Sequence, residues 1–402
     1  MLKIGLIREG KNPPDKRVVF SPTQLKRLQA KYAGELRFFV QESPVRCFDD
    51  AAYAAAGFPP QPDLSACDVL LGVKEVPIAQ LMAGKQYFFF SHTIKAQPYN
   101  RDLLRAILAK DITLYDHEVL KKPSGERVVA FGRWAGIVGA YMGLWTYGEK
   151  SGRYRIKQAK DCFDLAEMLE ELKKVELPAL KLLITGRGRV GLGALEIIRA
   201  LGIPEVQPEA LLREHFPQAV FAVLDCQHYA KRAQDGGFQR EEFFTHPERY
   251  VSSFQRYTEV ADMLIAAAYW DHRAPRLFER EDVGQPGFKL RVIADITCDI
   301  DGSIPTTIRP STIAEPVYDL DLTAFQELPA FSGAETLSVM AIDNLPTALP
   351  RDASEDFGEQ FAQYVLPELL LQHSEVLEGA CIARGGQLGP HFTYLQSYVD
   401  GD

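Results

Sequence analysis

The sequence predicts an α/β protein made of two doubly wound domains with mostly parallel sheets and a cleft between the domains. Short β-rich runs alternate with amphipathic helical runs, which is typical of parallel sheets. An apolar run near the middle of the chain leads into a glycine-rich turn and then into another helical run. With 402 residues, the chain is more than twice as long as a common domain, so two cores are expected.

The first part of the chain is predicted to contain four strand and helix units. The predicted strands are 3–7, 36–40, 69–74 and 87–91, and the predicted helices are 22–31 and 101–109. Ser21 precedes the first helix and is expected to cap it. The polar segment 149–160 indicates a change of domain.

The second part is predicted to hold helices 162–174 and 194–201, strands 180–185 and 220–224, and an added helix within 204–217. The chain end is expected to pack back on the first domain. Residues 1–137 plus 346–402 are therefore predicted to form a substrate-binding and catalytic domain, and residues 138–345 a dinucleotide-binding domain.

Composition excludes several classes of function. Lys and Arg number 45 against 54 Asp and Glu, a net charge of -9, and no basic block is interleaved with aromatics. Binding to nucleic acid or to an anionic membrane is therefore not expected. The longest apolar stretches, 136–145 and 263–270, are too short to span a bilayer, and the N-terminus is predicted to be a strand rather than a signal peptide.

The cysteines point to a reducing compartment. The chain has six, with no C-x-x-C pair and no nearby histidine partner, so no metal site is predicted. Reduced thiols in a cytoplasmic protein are the simplest expectation.

The glycine-rich turn is the sequence Gly186-Arg-Gly188-Arg-Val-Gly191, which matches G-x-G-x-x-G after an apolar strand. In such a loop the first glycine allows the tight turn, the second admits a pyrophosphate, and the third lets helix and strand pack closely. The helix N-terminus then attracts the phosphates. The loop predicts a Rossmann-like dinucleotide site that includes Arg189 and Val190, with an ordinary glycine-rich turn as the alternative.

Asp225 follows the next predicted strand and is a candidate for the ribose-binding acid. It lies 225 - 186 = 39 positions from the first glycine, because the segment 204–217 is inserted before the strand. A carboxylate there would accept hydrogen bonds from the adenosine hydroxyls and repel a 2′-phosphate, which favours NAD over NADP. Arg187 and Arg189 weaken this argument, since guanidinium groups bind phosphate well. A capping aspartate is the alternative.

Titratable residues follow two predicted strands of the first domain, where open parallel sheets place their ligands. Lys74 and Glu75 end one run, and His92 follows the next, with Lys95 close by. A desolvated lysine near another cation can act as a base, and histidine transfers protons near neutral pH. Taken singly, each of these residues also fits an ordinary surface or structural role.

Two further features of this half have open interpretations. Arg17 and Arg127 are candidates for binding substrate carboxylates, because the planar guanidinium suits a carboxylate. Gly132, Gly136 and Gly139 surround Trp134 in a stretch of small residues, which predicts either a close backbone approach or tight packing.

The motifs resemble the alanine dehydrogenase and transhydrogenase N-domain superfamily, and within it the lysine-forming saccharopine dehydrogenases and lysine-ketoglutarate reductase domains. The general resemblance rests on Arg8-Glu9, RVVFSP (17–22) and KEVP (74–77). The narrower one rests on SHTIKAQ (91–97), LYDHE (114–118), RVVAFGRWAG (127–136) and DNLP (343–346). Matches to the reductase domain continue at 246–250, 268–270, 275–277, 295–304, 312–316 and 392–396.

This resemblance implies an activity and residue roles. Members of the family interconvert saccharopine with lysine and 2-oxoglutarate, using a nicotinamide cofactor. By motif, the resemblance implies that Lys74 is the base and His92 the second acid/base group, and that Glu75 and Glu118 tune their pKa values. It also implies that Arg17 and Arg127 bind substrate carboxylates, and that Gln97 and Asp343 make other contacts in the cleft.

One departure from the reductase pattern bears on the cofactor. Where that domain has a serine and an arginine at the end of the discriminating strand, this sequence has Asp225-Cys226, so NAD is expected, with NADP as the alternative. The fused second dehydrogenase domain of the bifunctional enzymes is absent, so the chain is expected to perform one of the two reactions. The rival hypotheses are an alanine or other amino-acid dehydrogenase, and a nucleotide-binding subunit without catalysis.

Overall fold

A computed structural model describes residues 1–401 and divides them into two compact units. The first unit comprises residues 1–131 together with the described residues from 350 onward, and the second comprises residues 132–349. Each unit contains a seven-stranded, mostly parallel sheet accompanied by helices. The predicted α/β fold class is confirmed.

The first unit begins with alternating strands and helices. The strands are β1 (Leu2–Leu6), β2 (Leu36–Val40), β3 (Val69–Leu71), β4 (Gln86–Phe89) and β5 (Thr113–Asp116), and the helices are α1 (Pro22–Lys31), α2 (Asp50–Ala55) and α3 (Arg101–Ala109). Helix α1 has the predicted bounds, and the Ser21 side chain caps it by accepting from the Gln24 N–H.

The second unit starts with the 20-residue helix α4 (Gly132–Ser151). Its strands are β6 (Lys181–Thr185), β7 (Val220–Leu224), β8 (Ala230–Arg232), β9 (Tyr250–Ser252), β10 (Met263–Ala266), β11 (Val292–Asp295), β12 (Val317–Leu320), β13 (Glu327–Leu328) and β14 (Leu337–Met340). Its other helices are α5 (Leu165–Leu172), α6 (Arg189–Ala200), α7 (Pro208–Arg213), α8 (Cys226–Tyr229), α9 (Arg240–Thr245), α10 (Gln255–Thr258) and α11 (Arg280–Val283).

The chain end returns to the first unit, in agreement with the expectation that it packs there. It forms α12 (Pro350–Tyr364), α13 (Glu375–Ala380), β15 (Cys381–Arg384), β16 (Gln387–Leu388) and α14 (Gln396–Asp400). The sheet of this unit has the order β16-β15-β5-β4-β3-β1-β2. Strands β1 to β5 pair in parallel, and β15 and β16 extend the sheet antiparallel beyond β5.

The sheet of the second unit has the order β13-β12-β14-β11-β10-β6-β7. Strands β14, β11, β10, β6 and β7 pair in parallel, and β12 and β13 extend one edge antiparallel. Nearly every residue of the parallel strands is buried, as expected for a sheet covered on both faces. A separate two-stranded sheet joins β8 and β9.

The structure corrects the domain boundaries. The predicted break between residues 137 and 138 would cut α4 near its first turn, and the polar segment 149–160 begins inside that helix rather than between domains. The actual breaks lie at 131/132 and 349/350, where α4 and α12 begin. Continuous helices keep their backbone hydrogen bonds within one unit, so unit boundaries fall at their ends.

The small-residue stretch of α4 allows a close backbone approach to α6. A Cβ on Gly136 would lie 1.9 Å from the Val190 carbonyl oxygen, and one on Gly193 would lie 2.0 Å from the Arg133 carbonyl oxygen. Neither contact leaves room for a methyl group. Helix α6 begins at Arg189 rather than at the predicted residue 194, and Gly193 within it serves the contact with α4.

Two predicted strands end earlier than expected, and side-chain carboxylates explain why. Past β3, the Val73 and Lys74 N–H groups donate to Glu9. Past β4, the Ser91 N–H donates to Asp116. The amides near these strand ends are bound by carboxylates, so regular strand pairing stops there.

Within residues 1–401, helices of the length and hydropathy needed to span a bilayer are absent.

Candidate active site and cofactor loop

The polar residues predicted to lie together follow neighbouring parallel strands of the first unit. β3 and β4 pair in parallel, so their carboxyl ends lie at the same edge of the sheet. Lys74 and Glu75 follow β3, and His92 follows β4. The structure brings Glu75 and His92 into direct contact, with Glu75 Oε1 2.6 Å from His92 Nδ1.

Glu75 is shared between a histidine and a lysine. Its Oε2 accepts from Lys11 Nζ at 3.0 Å, while Oε1 faces His92. Burial raises the pKa of Glu75, but the His92 hydrogen bond and charge, with a further contribution from Lys11, outweigh burial and hold it at about 2. Glu75 is therefore an anion that orients the His92 ring through Nδ1 and leaves Nε2 on its other side.

Lys74 lies in an environment that favours its neutral form. Burial lowers the pKa of its amine, and the positive charges of Arg17 and Lys11 lower it further. Glu75 and Asp15 act in the opposite direction. The balance lowers the pKa of Lys74, which is the direction that a general base requires.

Glu9 holds the backbone that carries Lys74. Its two carboxylate oxygens accept from the N–H groups of Val73 at 2.7 Å and Lys74 at 2.8 Å. Burial is the largest influence on Glu9 and raises its pKa to about 8, against the lowering effect of the two backbone donors. In the sequence, Glu9 stands out only as part of the Arg8-Glu9 motif; its position three residues after β1, at the same sheet edge, is the signal that points to this role.

Arg17 is buried together with Asp15, a residue that the sequence did not indicate as part of the site. Its Nε and NH2 donate to the two Asp15 oxygens at 3.0 and 2.6 Å, and both side chains are 2–3% exposed. Burial raises the pKa of Asp15, but the Arg17 charge and hydrogen bonds bring it to about 2. The guanidinium also stacks 4.2 Å from the centre of the Phe131 ring. In this structure Arg17 binds a carboxylate of its own chain, and its role with a substrate carboxylate stays a prediction.

Arg127 and Glu118 lie close to residues of the same sheet edge. Arg127 Nε donates to the Val129 carbonyl at 2.9 Å, and its guanidinium lies 5.4 Å from the centre of the Phe90 ring. The Glu118 N–H donates to the buried Asp116 carboxylate, which also accepts from Ser91. The Glu118 side chain stays partly exposed, 3.9 Å from Lys95 Nζ.

The other two predicted cleft residues lie elsewhere. Gln97 is exposed, and its carbonyl oxygen accepts from the Tyr398 hydroxyl within the first unit. Asp343 is exposed in the second unit, where its N–H donates to the Ser311 carbonyl at 3.1 Å. The roles predicted for Gln97 and Asp343 stay predictions.

The glycine loop of the second unit has the shape of a phosphate-binding turn. Gly186 has a φ of +87°, and a Cβ there would lie 2.8 Å from Ala268 Cα. A Cβ on Gly191 would lie 2.1 Å from the Gly186 carbonyl oxygen, whereas a Cβ on Gly188 would meet no atom within 4 Å. The first and third glycines thus serve the turn itself, and the open space at Gly188, beside the N-terminus of α6, fits a pyrophosphate.

Asp225 directly follows β7 as predicted, and it is also the N-cap residue of α8, as the alternative interpretation expects. Its own N–H donates to His228 Nδ1 at 2.9 Å, and its Oδ2 lies 3.5 Å from Arg187 Nε. An apolar pocket lies near the loop and is lined in part by Thr185, Tyr229, Ala268 and Trp270. Apolar walls of this kind suit the faces of a flat aromatic base such as adenine. The residues present therefore suit a dinucleotide.

Comparison with known proteins adds relatives along the whole chain. Residues 5–138 match the family model described as alanine dehydrogenase/PNT, N-terminal domain. The mitochondrial alpha-aminoadipic semialdehyde synthase of Bos taurus is 31% identical over 446 aligned residues, covering 98% of this chain and 47% of that protein. The chain thus spans about half the length of that relative.

A second kind of relative has the same extent as this chain. A protein of Yarrowia lipolytica named saccharopine dehydrogenase [NAD(+), L-lysine-forming] is 28% identical, and the alignment covers 92% of each chain. Among solved structures, an L-alanine dehydrogenase matches with a TM-score of 0.64 at 17% identity over 99% of each chain. A transhydrogenase from Sinorhizobium meliloti matches with a TM-score of 0.60 at 18% identity, over 96% of this chain and 99% of that one. These two likenesses concern the fold.

Proposed function

We propose that this chain, whose residues 5–138 match the alanine dehydrogenase/PNT N-terminal domain, interconverts L-lysine plus 2-oxoglutarate with saccharopine, using a nicotinamide cofactor. The observation that carries the proposal is the arrangement of Lys74, Glu75 and His92 at one sheet edge, with an amine whose pKa is lowered beside an anion-bound imidazole. The full-length similarity to a protein named for this reaction supports the choice of substrates.

The proposed proton transfers follow from the chemistry of the substrates. In the direction of lysine release, the secondary amine of saccharopine must lose a proton before it is oxidised to an imine. Neutral Lys74 accepts that proton. Water then adds to the imine carbon, and His92 takes a proton from this water through the ring nitrogen that does not face Glu75. Collapse of the resulting carbinolamine releases lysine and 2-oxoglutarate.

The protein's own charges support these steps. Glu75 fixes the His92 ring and stabilises the imidazolium that forms when His92 takes a proton. Glu9 fixes the backbone of Lys74. When bound, the nicotinamide accepts or supplies the hydride. Arg127 and Arg17 are proposed to bind the carboxylates of the substrates, for which Arg17 would exchange or share its Asp15 partner.

NAD is proposed as the cofactor because Asp225 stands at the end of β7, beside the glycine loop. A carboxylate there accepts hydrogen bonds from ribose hydroxyls and repels a 2′-phosphate.

We also propose that the protein works in the cytoplasm. All six cysteines are free thiols, which suits a reducing compartment.

The proposal is tested by following cofactor absorbance with NADH and NADPH separately, in the presence of lysine plus 2-oxoglutarate. Oxidation that needs both substrates is expected. Pyruvate plus ammonia serves as the control pair, because the fold also matches an alanine dehydrogenase. Turnover with the control pair alone would replace the proposed substrates by those of an alanine dehydrogenase.

Two variants test the assigned roles. Lys74→Met and His92→Gln are each expected to reduce turnover by about 10²–10⁴-fold, the usual worth of a general acid or base, while thermal stability and cofactor binding stay near wild type. Lys26→Met and His391→Gln, at exposed positions of the same unit, are the matched controls. Wild-type turnover in both active-site variants would refute the roles of Lys74 and His92.

A further inference from the structure

We propose that Glu205 is a second determinant of cofactor choice, which acts with Asp225 by holding the loop residue Arg187 away from a 2′-phosphate. The inference rests on the proposed dinucleotide site and extends it to a residue outside the glycine motif. It also gives a role to the segment inserted between α6 and β7.

The inserted segment places Glu205 along the edge of the sheet. β7 is the last strand of its sheet, and residues 204–206 run beside it. The Val206 N–H donates to the Phe221 carbonyl at 2.8 Å, and the Phe221 N–H donates to the Pro204 carbonyl at 3.0 Å. Glu205 is thereby fixed by backbone hydrogen bonds on both sides of it, with its side chain toward the glycine loop.

Arg187 lies between two carboxylates. Its NH2 is 3.2 Å from Glu205 Oε1, and its Nε is 3.5 Å from Asp225 Oδ2. The other Glu205 oxygen is 3.0 Å from Arg199 NH2. Burial raises the pKa of Glu205, but the hydrogen bonds from Arg199 and Arg187 outweigh burial and lower it, so Glu205 is an anion at neutral pH.

The arrangement of charges favours a cofactor whose ribose carries no 2′-phosphate, which is NAD. The guanidinium of Arg187 belongs to the loop that receives the pyrophosphate and touches the acid expected to face the adenosine ribose. An arginine free to turn there would bind a 2′-phosphate through charge-assisted hydrogen bonds. The carboxylates of Glu205 and Asp225 offset the charges of Arg187 and Arg199, so a phosphate that approached would meet a cluster without net positive charge.

This arrangement predicts how substitutions at the end of β7 change the binding of a 2′-phosphate. Asp225→Ser alone would remove one carboxylate but leave Arg187 paired with Glu205. Release of Arg187 needs the loss of both partners. The ion pairs are partly exposed, with Arg187 44% and Glu205 34% accessible, so their removal is expected to change phosphate binding and not the fold.

The experiment measures dissociation constants of NADH and NADPH by fluorescence titration, without lysine or 2-oxoglutarate. It compares the wild type with Glu205→Gln, Asp225→Ser and the double variant, each with Arg187 present or changed to alanine. The ratio of the NADPH constant to the NADH constant is expected to fall at least about tenfold further in the double variant than in Asp225→Ser, the worth of one new charge-assisted hydrogen bond. Arg187→Ala should remove this extra gain.

Glu209→Gln is the matched control, since it neutralises an exposed carboxylate in the same insertion. An equal gain in this control, or a gain that survives Arg187→Ala, would overturn the role of Glu205. An unchanged ratio in the double variant relative to Asp225→Ser would overturn it as well.

The outcomes separate this inference from the proposed function. A wild type that binds NADH but fails to turn over lysine with 2-oxoglutarate overturns the proposed reaction, while the change in the cofactor ratio still supports the role of Glu205. A wild type that binds neither cofactor overturns both the dinucleotide site and the inference built on it.

Discussion

Glu75 Oε1 lies 2.6 Å from His92 Nδ1, and the other oxygen of the same carboxylate lies 3.0 Å from Lys11 Nζ. One anion thus connects the histidine proposed for water activation with the cationic surroundings of Lys74. Since Glu75 raises the pKa of Lys74 and Lys11 lowers it, the two residues act on the base in opposite directions.

Glu75→Gln and Lys11→Met are therefore expected to move the titration of Lys74 in opposite directions. Loss of the carboxylate destabilises the ammonium and shifts the pKa of Lys74 to lower pH; loss of the Lys11 charge shifts it to higher pH. Competitive acetylation as a function of pH, read by mass spectrometry, reports this titration without relying on turnover. The exposed Lys26 serves as the internal control, and shifts of the same sign in both variants would contradict the electrostatic account.

The glycine loop predicts different defects at two positions of one motif. A Cβ on Gly188 meets no atom within 4 Å, so Gly188→Ala is expected to fold normally and to bind NADH roughly tenfold more weakly or worse, because the methyl occupies the space for the pyrophosphate. A Cβ on Gly191 would lie 2.1 Å from the Gly186 carbonyl, so Gly191→Ala is expected to lower stability.

Thermal unfolding and NADH titration of both variants check this distinction. A Gly188→Ala protein that binds NADH like the wild type would place the pyrophosphate elsewhere.

The sequence was informative wherever short-range rules decide the structure. Helix α1 with its Ser21 cap, strand β7 and its terminal Asp225 were predicted from apolar periodicity and capping. The grouping of Lys74 with His92 was predicted because parallel strands end at a common edge. Each of these features depends on residues close in sequence or on a general property of parallel sheets.

Contacts between residues that lie far apart along the chain could not be predicted from the sequence. Glu9 binds the amides of Val73 and Lys74 across more than 60 positions; its place after β1 puts it at this sheet edge, but the sequence near it does not specify these partners. Similarly, α6 begins at Arg189, before the predicted residue 194, and includes Gly191 and Gly193. Because glycine lowers helix propensity, local rules predict a later start of this helix. Gly193 is required by the close contact with α4, which the local sequence does not reveal.

The contact between α4 and α6 is expected to tolerate no side chain. Gly136→Ala would place a methyl 1.9 Å from the Val190 carbonyl oxygen, and neither backbone can yield without moving a helix. A loss of stability of about 1–3 kcal/mol or more is expected, as in other overpacked cores. Thermal unfolding measures it.

Gly379→Ala is the matched control for that helix substitution. Gly379 lies in α13, and a Cβ there would meet no atom within 4 Å. This change is expected to be neutral or to stabilise by up to about 1 kcal/mol, because alanine restricts the unfolded chain. Equal losses in the two variants would contradict this account, because the α4–α6 contact cannot act at Gly379.

His117 predicts a pH dependence of stability in the first unit. The ring is buried among aromatic side chains, with Phe90 and Phe357 centroids at 5.0 and 5.1 Å, and its Nε2 lies 2.9 Å from the Gly72 carbonyl oxygen. Among residues 1–401, Nδ1 has no hydrogen-bond partner. Burial lowers the pKa of His117 from 6.5 to about 3, so the folded state keeps the ring neutral where the unfolded chain protonates it.

Below pH 6.5 the unfolded state therefore binds more protons at this site, and stability falls as pH falls until about pH 3. Compared with His117→Phe, the wild type is expected to lose about 1.4 kcal/mol of unfolding free energy for each pH unit below 6.5. Urea unfolding at several pH values measures this difference, in which contributions common to both proteins, such as that of Glu9, cancel. His391→Gln, at an exposed position, should run parallel to the wild type. If the unfolding free energy of His117→Phe also changes with pH in parallel with that of the wild type, the His117 ring is not held neutral by burial.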